Sequence, residues 1–194
     1  MKICVFCGSS FGTDPIYKSA AEAVGHAFAE RDIELVYGGG QVGLMGTVAD
    51  AVLAGGGRVT GVIPRALHDR ELAHHGLTSL VVVESMHERK AAMAERADGF
   101  VSLPGGAGTL EEAFEQWTWA QLGIHAKPNG FLNVKGYFEP LRTMIEKCVA
   151  EGFVKSQHAA MLKFSDDIGE IIDAFTDYEA PAHKWTGHGE AVKP

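Results

Sequence analysis

Short apolar runs alternate with helical patterns along this chain, and three of the runs end in glycine-rich turns at 8–10, 38–46 and 104–109. The runs at 2–7, 34–37, 58–63, 79–84, 99–103 and 129–133 read as strands. The stretches at 14–31, 44–54, 86–97, 110–122, 137–151 and 165–175 read as helices. Asp14 serves as N-cap of the first helix, with Pro15 at its first position. Such alternation forces a parallel sheet covered on both faces, an α/β, Rossmann-like, doubly wound fold. Those sheets bind ligands beyond the carboxyl ends of their strands, where the three turns fall. No internal repeat or linker divides the 194 residues. The expectation is one nucleotide-binding catalytic domain over 1–178 and a polar, mobile tail over 179–194.

The third turn carries the most chemistry. In Leu103-Pro104-Gly105-Gly106-Ala107-Gly108-Thr109-Leu110-Glu111-Glu112 a strand ends, a glycine turn follows and a helix begins. Glycine lets the backbone approach a ligand, and a helix start adds unpaired N–H groups and a positive dipole end. Together they make an anion site, most often for phosphate. A carboxylate in the first helical turn is kept ionised by that dipole, which suits Glu112 to act as a base or to stabilise a cation. Thr109-x-x-Glu112 equally fits a capping box, in which Glu112 only ties off the helix.

The second turn, Gly38-Gly39-Gly40-Gln41-Val42-Gly43, matches G-x-G-x-x-G literally, but it follows the second strand. The next strand ends at Pro64 without the acidic residue that would hold a ribose, so nicotinamide chemistry is not supported. Contacts to phosphate or nucleotide from Ser9, Gly39, Gly40, Gly43 and Met45 fit the position of these turns. On the helix from Met86, residues 86, 89, 93 and 97 share one face. Three suit a core and the fourth is Arg89, which is seldom buried without an anionic partner. A structural salt bridge and a ligand contact explain it equally well. Lys90 points further round the helix, toward solvent.

Composition excludes several classes. A formal charge of −8 argues against nucleic acid as the main partner. No apolar run is long enough to span a membrane, and the chain opens on a strand pattern, so a cytoplasmic location is expected. Three cysteines make no disulfide framework. Cys4 and Cys7 match C-x-x-C, but residues three apart in a strand point to opposite faces, so both read as ordinary thiols. The nine histidines form no metal set, and His74-His75 reads as a solvated loop.

Ser85-Met86-His87-Glu88-Arg89-Lys90, then Pro104 through Glu112, then Trp117-Thr118-Trp119-Ala120-Gln121-Leu122-Gly123-Ile124-His125 closely resemble the LONELY GUY family. Its members are cytokinin riboside 5′-monophosphate phosphoribohydrolases, often labelled lysine decarboxylase-like. The P-G-G-x-G-T-x-x-E motif is matched in full, and Gly38-Gly39-Gly40 with Gly43-Leu44-Met45-Gly46 looks like the family's second glycine turn. The resemblance covers about 1–175. It implies hydrolysis of the N-glycosidic bond of a purine nucleoside 5′-monophosphate to free base and ribose 5-phosphate, with no metal or other cofactor. It places the catalytic pair on Arg89 and Glu112. Its substrate contacts fall on Glu71, Arg89, Lys90, Gly105, Gly106, Ala107, Gly108, Thr109, Leu110, Glu111, Glu112 and Thr118. Ala107 stands where plant members often carry tyrosine, a difference that bears on substrate preference. The family is usually dimeric, and Trp117 and Trp119 fit either an interface or a core.

The residues suit that chemistry. Breaking an N-glycosidic bond builds positive charge on the ribose, as in other glycosyl transfers. An ionised Glu112 would stabilise it and orient or deprotonate water. Arg89 would grip phosphate or ribose oxygens with a planar fork. A decarboxylase would need a Schiff-base lysine facing pyridoxal phosphate, and Lys90 is the only lysine close to the motifs. The alternative class is a non-catalytic nucleotide or molybdenum-cofactor carrier, which would not need both Arg89 and Glu112.

Overall fold

The computed structural model describes residues 1–69 and 73–184. Its centre is a seven-stranded, all-parallel sheet in the order β4-β3-β2-β1-β5-β6-β7. The strands are β1 (Lys2–Phe6), β2 (Glu34–Tyr37), β3 (Val59–Pro64), β4 (Ser79–Val83), β5 (Gly99–Ser102), β6 (Asn129–Leu132) and β7 (Leu162–Ser165). The longer helices are α1 (Ile16–Glu30), α2 (Gly43–Ala54), α4 (Met86–Arg96), α5 (Ala107–Leu122), α6 (Glu139–Ala150) and α8 (Ile168–Thr176). Single turns α3 (Arg65–His68) and α7 (Ser156–Ala159) and a 3-10 turn at Val134–Gly136 complete the set among the described residues. The expected doubly wound α/β architecture is therefore present.

Alternate strand residues feed two cores, one on each face. Ile3, Val5, Leu35, Tyr37, Val101 and Leu103 pack with residues of α1, α2 and α8. Cys4, Phe6, Val36, Val62, Phe100 and Phe131 pack with residues of α4 and α5. Cys4 and Cys7 fall in different cores, as their spacing requires, and burial pushes both thiols up, so neither is a ready thiolate. The chain steps outward from β1 through β2 and β3 to β4, then returns to the other side of β1 as β5. That reversal puts the topological switch point between β1 and β5.

Four expectations are corrected. The edge strand β7 was missed, because Leu-Lys-Phe-Ser is too short and too mixed to stand out until it pairs with β6. Residues 179–184 do not form a loose tail: Gln157 Nε2 donates to the Ala182 carbonyl at 2.9 Å and Lys184 N–H to the Gln121 carbonyl at 2.9 Å. The rest of the tail lies outside the described residues. His74 is not solvated. Its Nδ1 accepts from Gly76 N–H at 3.0 Å, which leaves Nε2 to donate to Asp50 at 2.9 Å. The N-cap expectation is also corrected: Pro15 holds the cap position and Ile16 is the first helical residue, although Asp14 Oδ1, one residue further out, accepts from Ile16 N–H at 3.0 Å.

Candidate active site

The three glycine turns meet at the switch point. Gly8 N–H donates to the Pro104 carbonyl at 3.1 Å, and the Gly8 carbonyl accepts from Leu44 N–H at 3.0 Å. The first turn thus ties the second and third together. Gly43, at φ +60, lies so close to Ser9 and Ser10 that a Cβ would come within 2.3 Å of the Ser9 carbonyl carbon. Gly39, Gly40 and Gly43 are buried, with the Gly39 carbonyl accepting from His74 N–H and Gly40 bridging Ala73. Gly43 thus packs turn against turn, whereas Gly39 lies against Val62 and Ile63 of β3 and Leu80 of β4, Ser9 is exposed and Met45 is half-buried.

The third turn is open. Gly106 caps α5, and nothing stands within 4 Å of where a Cβ would be on Gly106 or Gly108. The helix begins at Ala107, three residues before the sequence pattern indicated. Thr109 and Glu112 are therefore third and sixth in the helix, and the capping-box reading is overturned. Glu112 also lies beyond the first turn, where the dipole acts most strongly. Burial, rather than the dipole, governs its carboxyl: it is pushed above the usual carboxylate range, with the Arg89 guanidinium pulling the other way.

Arg89 reaches that carboxylate from α4. Its Nη1 stands 3.2 Å from Glu112 Oε1, with both side chains nearly enclosed at 11% and 12% exposure. Nε donates to the Val62 carbonyl at 3.3 Å. The guanidinium crosses the end of β2 against Gly38, where a Cβ would stand 1.9 Å from Nη2. Arg89 is thus held in an enclosed ion pair, the structural one of its two readings. Met86, placed by pattern on the buried face, is exposed, while Met93 and Ala97 are core.

Lys90 corrects a second expectation. It is not solvated but 8% exposed, with its ammonium on Glu111 and, at 2.9 Å, on Glu115. Burial works against its charge, yet the two carboxylates hold its pKa above the ordinary value. A lysine kept as an ammonium cannot attack a carbonyl as an amine, which argues against a Schiff-base role. Lys90 and Glu111 therefore tie α4 to α5 beside the Arg89–Glu112 pair. Thr109 is buried under the turn, Ala107 is exposed, and Gly105 and Leu110 are partly buried. Thr118 is exposed on α5, about 18 Å along the axis from Gly106, so the structure does not bring it to that turn. Glu71 lies outside the described residues. Trp117 is core, its Nε1 donating to the His158 carbonyl at 2.8 Å, whereas Trp119 is half-buried. Gly38, which the sequence shows only as one glycine of a run, is the position against which the Arg89 guanidinium packs.

Residues 45–175 match the model of a family described as "Possible lysine decarboxylase". The chain is 50% identical over 178 residues to cytokinin riboside 5′-monophosphate phosphoribohydrolase LOG7 of Arabidopsis thaliana, spanning 92% of this chain and 82% of that one. It is 48% identical over 183 residues to probable cytokinin riboside 5′-monophosphate phosphoribohydrolase LOGL2 of Oryza sativa subsp. japonica, spanning 94% and 75%. Among solved structures, the molybdenum cofactor carrier protein of Chlamydomonas reinhardtii superposes with a TM-score of 0.70 at 18% identity, over 91% of this chain and 96% of that one. The molybdenum cofactor binding protein of Rippkaea orientalis gives 0.68 at 16%, over 91% and 95%. At those identities the likeness is one of fold.

Proposed function

Because this chain belongs to the LONELY GUY family of cytokinin riboside 5′-monophosphate phosphoribohydrolases, we propose that it cleaves the N-glycosidic bond of those nucleotides, and of AMP, to free base and ribose 5-phosphate. The observation that carries the mechanism is the enclosed Arg89–Glu112 pair beside the open turn of α5. In this reading one catalytic unit spans 1–178 and the protein acts in the cytoplasm.

The 5′-phosphate sits against the N–H groups of Gly106, Ala107 and Gly108, which helix geometry leaves unpaired. Arg89 opposes protonation of Glu112 and offers its remaining donors to ribose or phosphate oxygens. As the C1′–N bond lengthens, the base takes the bonding pair and positive charge grows on the ribose, facing the Glu112 carboxylate. Water adds to C1′ and passes a proton to Glu112, which passes it on to the departing base, leaving OH on C1′, H on the base and Glu112 ionised again. Purified protein incubated with AMP and, separately, isopentenyladenosine monophosphate should release base and ribose 5-phosphate, resolved by chromatography. Binding of both without release would overturn this reading in favour of a carrier.

The working form in this proposal is a homodimer. A groove of about 620 Å³ runs between the edge strand β4, α4 and the end of α5, with Val81, Val83, Ala92, Trp119 and Ile124 as its apolar lining and Glu88, Glu95, Arg96 and Lys127 also lining it. Such a surface at a sheet edge calls for a partner. A second copy docked there offers a route by which Thr118, away from the turn on its own helix, reaches a substrate. Light scattering should give twice the chain mass, and a monomer would remove the claim.

A further inference from the structure

The open turn owes its shape to a residue from a distant part of the chain. Tyr137 Oη donates to the Gly105 carbonyl at 2.6 Å, across 32 residues. The preceding carbonyl, Pro104, accepts from Gly8 N–H at 3.1 Å. Both peptide planes leading into α5 are therefore held at their oxygens. In a trans peptide the N–H points away from the C=O of the same plane. Fixing the Gly105 oxygen on Tyr137 thus aims Gly106 N–H to the opposite side, and fixing Pro104 does the same for Gly105 N–H. Gly105 itself has no room to turn, since a Cβ there would meet Thr109 Oγ1 at 2.1 Å and Gly8 N at 2.8 Å.

The segment that delivers Tyr137 is built for the task. Lys135 and Gly136 both hold positive φ, at 55° and 72°, and Lys135 is one of two non-glycine residues so placed among those described. A left-handed lysine is costly and persists where its surroundings impose it. Here they do so twice. Lys135 Nζ bonds Asp14 Oδ2 at 2.6 Å at the start of α1, and the Tyr137 ring packs edge-on against Tyr17 of α1 and against Phe138. Tyr137, Tyr17 and Phe11 also wall a cleft of about 260 Å³ that opens onto Gly105 and Gly106.

We propose that Tyr137 is a positioning residue for the phosphate-binding turn, setting the direction of Gly106 N–H through the Gly105 carbonyl. This rests on the reading that the turn holds the substrate's phosphate. The test is Tyr137→Phe, which removes the donor and keeps the ring. The variant and the native protein are compared for kcat and KM with AMP and for inhibition by ribose 5-phosphate. The KM for AMP and the inhibition constant for ribose 5-phosphate should rise together by roughly 5- to 10-fold, with kcat within about twofold, since one donor is misaimed and the Arg89–Glu112 pair is untouched. Loss of a merely structural bond would lower the fraction of active protein, and so kcat, without moving either constant. That outcome, or no change at all, would overturn the proposal. If native protein neither turns over AMP nor binds ribose 5-phosphate, the functional reading fails first and takes the tether's role with it. A native protein that does both while Tyr137→Phe matches it refutes the tether alone.

Discussion

Glu112→Gln should lower the rate of base release by roughly 10³-fold or more while nucleotide binding changes only a few-fold. The amide keeps the size of the carboxylate and can still accept from Arg89 Nη1, now 3.2 Å from Oε1, so the enclosure of the pair survives. It can neither offset charge on the ribose nor take a proton from water. Single-turnover release of base from AMP, with binding measured separately, checks both halves. Near-native turnover would remove Glu112 from the mechanism. The native pH profile gives an independent check. Burial raises the carboxyl above its ordinary value of 4.5 in spite of Arg89. The active, ionised form is therefore lost as pH falls through a value higher than that of an exposed glutamate, and the acid limb should lie correspondingly high. Stability runs the other way. The folded protein binds this proton more tightly than the unfolded chain does. The group's contribution therefore becomes less favourable as pH rises from the unfolded to the folded value.

What the sequence made legible follows from the range of the interactions involved. Strand, turn and helix are local, so the parallel sheet and the three glycine turns at its carboxyl end could be read directly, as could the split of Cys4 and Cys7 between two faces. The boundary of α5 could not. Its first turn is Ala107-Gly108-Thr109, which has no helical signature of its own, and Gly105 just before it packs closely against Gly8 and Thr109. Glu112 is a buried carboxylate rather than a capping partner because the helix starts three residues earlier than the pattern indicates and Arg89 reaches it from α4. Lys90 reads as solvated because its partners, Glu111 and Glu115, come from α5 rather than its own helix. Tyr137 lay outside every motif, and the bond it makes to Gly105 is set by tertiary packing alone.

Gly38→Ala should separate activity from stability in a way few substitutions can. The added methyl would stand 1.9 Å from Arg89 Nη2 and 3.0 Å from its Cζ, so the guanidinium must move. Gly38 does not hold a left-handed backbone, so alanine costs nothing in conformation. The obstructed atoms are the far end of a flexible side chain, so the fold can yield by turning Arg89 aside. The unfolding temperature should fall by roughly 5–10 °C, the cost of opening one enclosed ion pair, with the protein still folded at assay temperature. The Nε bond to Val62 and the pair with Glu112 cannot survive that turn intact. Displacing a charged group by about 1 Å in such a site costs about 10² in rate, and turnover should fall accordingly. Arg89→Ala should fall further, by roughly 10³, because Glu112 then loses the cation that opposes its protonation. The acid limb of its residual activity should move up in pH. The double substitution settles the route. If Gly38 matters through Arg89, Gly38→Ala adds nothing to Arg89→Ala in AMP affinity or residual rate. Additive losses would show instead that Gly38 shapes the end of β2 for its own sake.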